Sequence, residues 1–381
     1  MLTNLRIKNF RMLEDLEIPK LGRVNLIVGK NNSGKSSILE ALRIYAGDAN
    51  LELLSTILNE HDESYSLDRT SFDGSIKNWL GLKNLFPNRK FPSKDNINIA
   101  LSSNEKTLLK IEYIFYYFKD ESDIDEDGQP FSTRRRVIVK SDLSNIEDSA
   151  LLYPAIRITL ESGKNTIHEL EEIKTQFSTF WLLNSKLYSF GLSYVPSDFL
   201  SSEQLSTLWD EITLSPYENI VIKALKLIDD RIEKLAFIES HQNNNSRFAI
   251  VKTKDVENRI PLNSMGDGMS RILQLILSVF PAKDGILLID EFENGLHYSV
   301  QEEVWRIIFQ LAKELNIQVF ATTHSWDCIE SFTKAAVESP KDGILLKVSR
   351  SKLTSDHGKV IATVYDEAEL QTITASELEI R

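Results

Sequence analysis

The chain of 381 residues contains one cysteine, Cys328. No intrachain disulfide can form, and a reducing compartment is the simplest reading. No apolar run approaches the roughly 18 to 20 residues that span a bilayer. No apolar h-region follows the opening Met1-Leu2-Thr3-Asn4-Leu5-Arg6, as a signal peptide would require. These absences predict a cytoplasmic protein with no membrane partner. Positive charge is also short: 44 basic residues stand against 56 acidic ones, a formal net charge of −12. That argues against a surface coated for non-specific nucleic-acid binding, without excluding a local basic groove. Internal repeats and long low-complexity segments are missing, and no heptad pattern persists, so a long coiled-coil arm is not expected. What is left is an ordinary globular composition, with length for a sizeable core and more than one domain.

The most informative stretch present is Gly29-Lys30-Asn31-Asn32-Ser33-Gly34-Lys35-Ser36. It fits the phosphate-loop pattern G-x-x-x-x-G-K-[ST] at every fixed position. The context fits as well. Val24 to Val28 reads as a buried strand, and Ser37 to Tyr45 carries Ile38, Leu39, Leu42 and Ile44 at near-helical spacing. Strand, glycine loop and helix N-terminus together aim backbone N–H groups at a phosphate. Lys35 is expected to reach the β- and γ-phosphates of a nucleotide, and the Ser36 hydroxyl to ligate Mg²⁺.

A second dense region begins near residue 262. Gly285 to Glu291 is an apolar strand ending in Asp290 and Glu291. Acids at the C-terminal end of a buried strand sit where open α/β sheets place ligands. Asp290 would hold Mg²⁺, and Glu291 would polarise the water attacking the γ-phosphate. A helix with Val300, Val304, Ile307, Ile308, Leu311 and Leu315 follows, then a strand from Ile317 to Thr323 ending at His324. The crossover rule places that strand in the same parallel sheet and brings His324 to the nucleotide edge. Upstream, Asn263-Ser264-Met265-Gly266-Asp267-Gly268 opens another helix and makes a second candidate anion site.

Between these regions the reading is coarser. Residues 107 to 118 form a strand with a partner at Arg136 to Val139. The acidic turn between them, Asp123 to Gly128, resembles a calcium loop but lacks its closing glutamate, since Arg134 stands there. The triplet Arg134-Arg135-Arg136 reads as a charge-balancing face. Residues 50 to 100 read as helix and loop, residues 167 to 190 and 203 to 235 as helix-rich. A hairpin is expected from Leu235–Ile238 and Phe248–Val251 around the tip Gln242 to Ser246.

Taken in order, these elements resemble the ABC-type ATPases of the RecF, SMC and OLD group, and more closely the AAA-family ATPases related to OLD proteins. Gly29 to Ser36 matches Walker A, and Ile286 to Glu291 matches Walker B. Ser264-Met265-Gly266-Asp267 looks like the signature motif, Asn294-Gly295-Leu296-His297 like the D-loop, and His324 like the switch histidine. Asn9-Phe10-Arg11 and Thr322-Thr323-His324-Ser325 also fit the ordering. The resemblance implies an α/β fold: an ABC-type P-loop head with a mixed central sheet, N-terminal antiparallel strands and a helical/β insert. Residues 1–60 and 250–381 are expected to make the head, and residues 61–249 the insert.

The implied nucleotide-binding residues are Gly29, Asn31, Asn32, Ser33, Gly34, Lys35, Ser36, Ser37 and Arg11. Lys35, Glu291 and His324 are the implied catalytic residues, and Ser36 and Asp290 the Mg²⁺ ligands. In the family, two heads close around two ATP molecules, so Ser264, Gly266 and Asp267 would serve a partner copy. A homodimer or higher homo-oligomer follows. OLD nucleases carry a TOPRIM domain after the switch histidine. Only Ser325 to Arg381 follows here, without its acidic set, so no nuclease is expected. The first expectation is an ATP switch controlling a separate effector, as in anti-phage modules. A RecF-like DNA clamp and an ATP-binding scaffold with little turnover are the competitors.

Overall fold

The computed structural model describes residues 1–63, 78–92, 97–124, 130–139, 151–170, 191–239, 247–255, 258–356, 358–366, 369–370 and 372. The expected acidic tip from Asp125, most of the expected helical stretch up to residue 190 and the Gln242 to Ser246 tip lie outside them. The chain opens with β1 (Leu5–Phe10), β2 (Leu13–Ile18), β3 (Val24–Val28), α1 (Lys35–Ala46) and α2 (Leu51–Glu60). Strands β4 (Ile99–Ser103), β5 (Lys106–Ile124), β6 (Pro130–Ile138), β7 (Tyr153–Leu160), β8 (Asn165–Glu169) and β9 (Leu192–Val195) follow. Next come α3 (Ser202–Ile212), α4 (Tyr217–Leu225), β10 (Ile232–Glu239), β11 (Arg247–Thr253), β12 (Ile260–Pro261) and α5 (Asp267–Leu277). The chain continues with β13 (Ile286–Ile289), α6 (Tyr298–Glu314), β14 (Gln318–Thr323), α7 (Trp326–Glu338), β15 (Gly343–Arg350) and β16 (Val360–Tyr365). No helix among the described residues is long and apolar enough to cross a membrane.

Two compact units result. The first contains Met1–Leu5, Glu17–Gly47 and Tyr188–Arg381. Its main sheet runs in the order β16-β15-β3-β14-β13-β9. All neighbours are parallel except the edge strand β16, so the sheet is mixed, as expected. Every residue of β3, β13 and β14 is buried. That matches their continuous apolar runs and marks a sheet covered on both faces. The order has one consequence for function. β14 lies between β3 and β13, with Thr323 opposite Val28 and Ala321 opposite Ile289. The strand ends preceding Gly29, Asp290 and His324 therefore share one sheet edge.

Helices of this unit close the core. Trp305 of α6 is fully buried, stacks on Phe292 at 3.8 Å between ring centroids and meets Phe332 of α7 edge-on at 5.2 Å. That aromatic pair anchors the residue directly after Glu291, and stacked pairs add roughly 0.5–1.5 kcal/mol beyond burial. The expected hairpin of β10 and β11 is present, with Phe237 opposite Ala249, and β12 extends it.

The second unit contains Arg6–Leu16 and Asp48–Leu187. It is built on an antiparallel sheet ordered β2-β1-β4-β5-β7-β8, with β6 also paired to β5. The β5–β6 pairing agrees with the sequence expectation. Strands β4 and β8 were not expected: β4 starts at the end of the stretch read as helix and loop, and β8 overlaps the start of the one read as helix-rich. β4 buries Ile99, Leu101 and Ser103 alternately, but over too few residues to register as a period. β8 reads Asn-Thr-Ile-His-Glu and has no apolar face; its pairing with β7 holds it extended.

The unit boundaries differ from the expected split. Residues 191–239 and 247–249 belong with the head, not the insert. β9 pairs with β13 along its length, and Trp209, Val221 and Leu225 from α3 and α4 share a core with Ile272 and Ile276 of α5. Conversely, Arg6–Leu16 and α2 belong to the second unit.

Candidate nucleotide site

The phosphate loop leaves β3 at Gly29. A Cβ there would lie 2.2 Å from the Val348 carbonyl oxygen, so only glycine passes β15 at this point. Gly34 holds φ at +107°, in the region that favours glycine, and turns the chain into α1. No side chain caps α1, which leaves its first-turn N–H groups for an anion. The Lys35 ammonium donates to the Gly29 carbonyl at 2.8 Å and the Lys30 carbonyl at 3.1 Å. Burial pushes the Lys35 pKa down; the charges of Asp290, Glu291 and Glu293, in that order, push it back up. The expected loop residues Asn31 and Asn32 are exposed, whereas Ser33 and Ser37 are buried.

Asp290 and Glu291 leave β13 beside this loop. The Thr322 hydroxyl donates to Asp290 Oδ1 at 2.5 Å, and the Glu291 N–H donates to Thr322 Oγ1 at 2.9 Å. Burial raises the Asp290 pKa. The Thr322 hydrogen bond opposes this, as does Lys35 more weakly, while the Glu291 charge adds to it. Glu291 itself has φ +47°, a left-handed conformation uncommon for a residue other than glycine. Its carboxylate Oε1 lies 2.9 Å from His324 Nε2, with both side chains about two-fifths exposed, at 37% and 40%. The His324 N–H donates to Glu293 Oε1, also at 2.9 Å. The histidine expected at this edge is therefore in contact with the expected general base.

Arg271 of α5 was not anticipated from the sequence. It is fully buried and donates to three carbonyls: Pro196 at 2.7 Å, Asp290 at 3.0 Å and Glu291 at 2.9 Å. Burial lowers its pKa to about 10, so it remains a cation at neutral pH. The left-handed turn at Glu291 is thus held through its N–H by Thr322 and through its C=O by Arg271. Arg271→Met keeps the length and loses all three donors. It is expected to lower unfolding free energy by about 3 kcal/mol, because unpaired buried carbonyls cost the desolvation they no longer recover. Chemical denaturation checks this, and an unchanged midpoint would remove Arg271 from the account.

The signature residues stand apart from this cluster. Ser264, Gly266 and Asp267 are exposed, and the Ser264 hydroxyl donates to the Pro261 carbonyl at 2.7 Å. Among the described residues no hydrogen bond or ion pair joins them to the phosphate loop of the same chain. Two large exposed apolar side chains flank them. A Cβ on Gly268 would meet Ile228 Cδ1 at 3.2 Å, and one on Gly295 would meet the Phe199 ring at 3.4 Å. Arg11 lies in the second unit, where its guanidinium pairs with the buried Glu63 at 2.7 Å.

The donor set fits magnesium. Ser36 and Asp290 offer hard oxygen ligands, and a carboxylate whose pKa burial has raised is one that a cation relieves. Among the described residues no group of three or more His, Cys, Asp or Glu side chains forms a metal cage. A magnesium ion here would take its other ligands from phosphate and water, as it does in kinase and ATPase sites. Arg136, of the basic triplet, pairs with Glu169, and Lys252 lies 3.9 Å from Glu233.

The sequence is similar to known proteins. The family model described as "AAA domain, putative AbiEii toxin, Type IV TA system" matches residues 24–327. An "ATP/GTP phosphatase" of Helicobacter pylori is 25% identical over 338 residues, 87% of either chain. An "OLD nuclease" of Thermus scotoductus is 50% identical over 48 residues, 13% of this chain and 9% of that one. A "DNA replication and repair protein RecF" of Cellvibrio japonicus is 49% identical over 45 residues, 12% of either chain.

Proposed function

This chain belongs to that AAA-domain family and is an ABC-type ATPase of the OLD-like and RecF-like kind, and from this premise we propose that two copies close on ATP and thereby control a separate effector. The observation that carries the chemistry is the 2.9 Å contact between Glu291 and His324 at the sheet edge that also bears Lys35 and Asp290. Lys35 and the α1 N-terminus hold the β- and γ-phosphates. Ser36 and Asp290 would hold magnesium, which when bound would supply positive charge against the phosphoryl oxygens. Glu291 takes the proton of the attacking water, and His324 keeps the Glu291 carboxylate oriented. Arg11 is a nucleotide contact by resemblance alone, and its pairing with Glu63 argues for a role inside the second unit.

The exposed signature loop supports closure by a partner copy. Ser264, Gly266 and Asp267 are exposed, and no side chain caps the helix that opens at Asp267, which leaves its first-turn N–H groups for an anion such as a partner's γ-phosphate. A γ-phosphate that touches both copies favours the closed pair over the open one; ADP lacks it. The effector is supported more distantly. The matched family is described by a toxin of a type IV toxin–antitoxin system, which suits an anti-phage module. Sedimentation of the full chain with ATP, a slowly hydrolysed ATP analogue and ADP tests the pairing. A chain that stays monomeric with both triphosphates would sink it.

The apolar rim gives a sharper test. Phe199 and Ile228 leave large apolar surfaces beside the signature loop and the D-loop-like Gly295, where a partner would cover them. Phe199→Asp with Ile228→Asp is expected to weaken triphosphate-dependent pairing by about tenfold or more, since buried aromatic anchors dominate interface energy. ATP affinity of the monomer should stay within about twofold, a change worth less than half a kcal/mol. Equal dimer constants for variant and parent would place the interface elsewhere.

A further inference from the structure

Thr322 is the residue the ATPase reading leaves without a task. It lies on β14, the strand between the phosphate-loop strand and the carboxylate strand, opposite Ile27 in the pairing with β3. Its residue surface is fully buried. In such a place an apolar β-branched residue would pack as well, and the neighbours Phe320 and Ala321 are apolar. The hydroxyl is what distinguishes it, and every contact of that hydroxyl is with an acid of the site. It donates to Asp290 Oδ1 at 2.5 Å and accepts the Glu291 N–H at 2.9 Å. The Thr322 carbonyl accepts the Phe292 N–H at 3.0 Å, which continues the lacing one residue further.

A hydroxyl has one proton and two lone pairs. Donating to Asp290 while accepting from Glu291 therefore fixes the hydroxyl's rotation and ties the two residues to one atom. The tie reaches Asp290 through its side chain and Glu291 through its backbone, at the point where Glu291 adopts φ +47°. A left-handed residue other than glycine persists only where its surroundings hold it. We propose that Thr322 is a positioning residue for hydrolysis. Its hydroxyl sets the rotamer of Asp290 and the backbone turn of Glu291, and so aims both carboxylates at the phosphates. It touches neither the nucleotide nor the water in this role; it acts through the acids.

The inference rests on the ATP-hydrolysis reading, so that reading is checked first. Wild-type turnover that Lys35→Ala removes establishes it, and equal rates for those two would refute it irrespective of Thr322. On that background Thr322→Val, Thr322→Ala and Thr322→Ser are compared in the full chain. Val keeps the shape without the hydroxyl. Ser and Ala lose the same methyl group and differ only in the hydroxyl. The expected result is a kcat about 10- to 100-fold lower in Val and Ala, because small misplacements of catalytic groups cost that much. The dissociation constant for a fluorescent ATP analogue should not change, and Ser should recover most of kcat. Wild-type kcat in Val or Ala overturns the proposal, as does a Ser variant no faster than Ala. Val and Ala chains that unfold where the Ser chain stays folded overturn it too, since the hydroxyl would then serve the fold and not the aim.

Discussion

Glu291→Gln is expected to cut ATP turnover by about 10²- to 10³-fold and to leave ATP-bound pairs standing, not dissolve them. The size follows from the loss of a positioned base, which is worth about 10²–10⁴ in rate. The direction of the second effect follows from geometry. Gln has the shape of Glu and still offers an oxygen to His324 Nε2, which sits 2.9 Å from Glu291 Oε1. Its backbone keeps the bonds to Thr322 and Arg271, because these use the N–H and C=O and not the carboxylate. Lys35 and Asp290 are untouched, and one negative charge facing the phosphates is gone. Triphosphate binding should therefore hold or tighten while hydrolysis stalls. Phosphate release and sedimentation with ATP measure both. Stalled hydrolysis without accumulation of ATP-dependent pairs would refute the switch and leave only an ATPase.

Much of this site was legible in the chain because its chemistry is local. The phosphate loop is eight consecutive residues between a strand and a helix, and the Asp290–Glu291 pair ends an uninterrupted apolar run. The sheet edge shared by Gly29, Asp290 and His324 follows a topological rule, since a strand–helix–strand crossover leaves few alternatives for β14. What was illegible acts across long sequence gaps through backbone atoms. Arg271 stands in α5 among Ile272, Leu273, Leu275 and Ile276, and its partners are the carbonyls of Pro196, Asp290 and Glu291. Carbonyls carry no sequence signature, so nothing marked this arginine as different from a solvated one. Thr322 reads as a strand-forming residue, and its value lies in one hydroxyl that no periodicity can show.

The two compact units differ from the expected split for a related reason. β9 is four residues, Leu192–Val195, too short for a pattern, and it joins the head by pairing with β13. The helices α3 and α4 looked like parts of an insert because their apolar faces are ordinary amphipathic ones. Only contact shows that Trp209, Val221 and Leu225 complete the core behind α5, and thus behind the signature loop. In the second unit the same limit applies to β8, whose polar residues are extended because β7 pairs with them. Where a strand is made by its neighbour, its own residues need not announce it.

Lys35→Ala should produce the opposite phenotype to Glu291→Gln: no turnover and no nucleotide-dependent pairing. The Lys35 ammonium is the phosphate-loop charge on which Asp290, Glu291 and Glu293 all act. Removing it does two things. The β- and γ-phosphates lose a charge-assisted donor held beside them in a partly desolvated site, where such a group is worth about 10²–10³ in rate. The carboxylates also lose the positive charge that offsets them, so the pocket turns more repulsive to a polyanion. Both effects act on the bound triphosphate, so affinity should fall along with kcat. Arginine does not repair this. Lys35 reaches the Gly29 and Lys30 carbonyls as a compact ammonium at 2.8 and 3.1 Å, and a planar guanidinium needs a different fork of acceptors. Lys35→Arg is therefore expected to resemble Lys35→Ala in turnover despite its retained charge. Titration with a fluorescent ATP analogue alongside phosphate release decides the matter. If Lys35→Ala paired on ATP as Glu291→Gln does, pairing would not read the phosphates through this loop. A Lys35→Arg chain with wild-type turnover would show that charge alone, and not the ammonium geometry of the loop, holds the γ-phosphate.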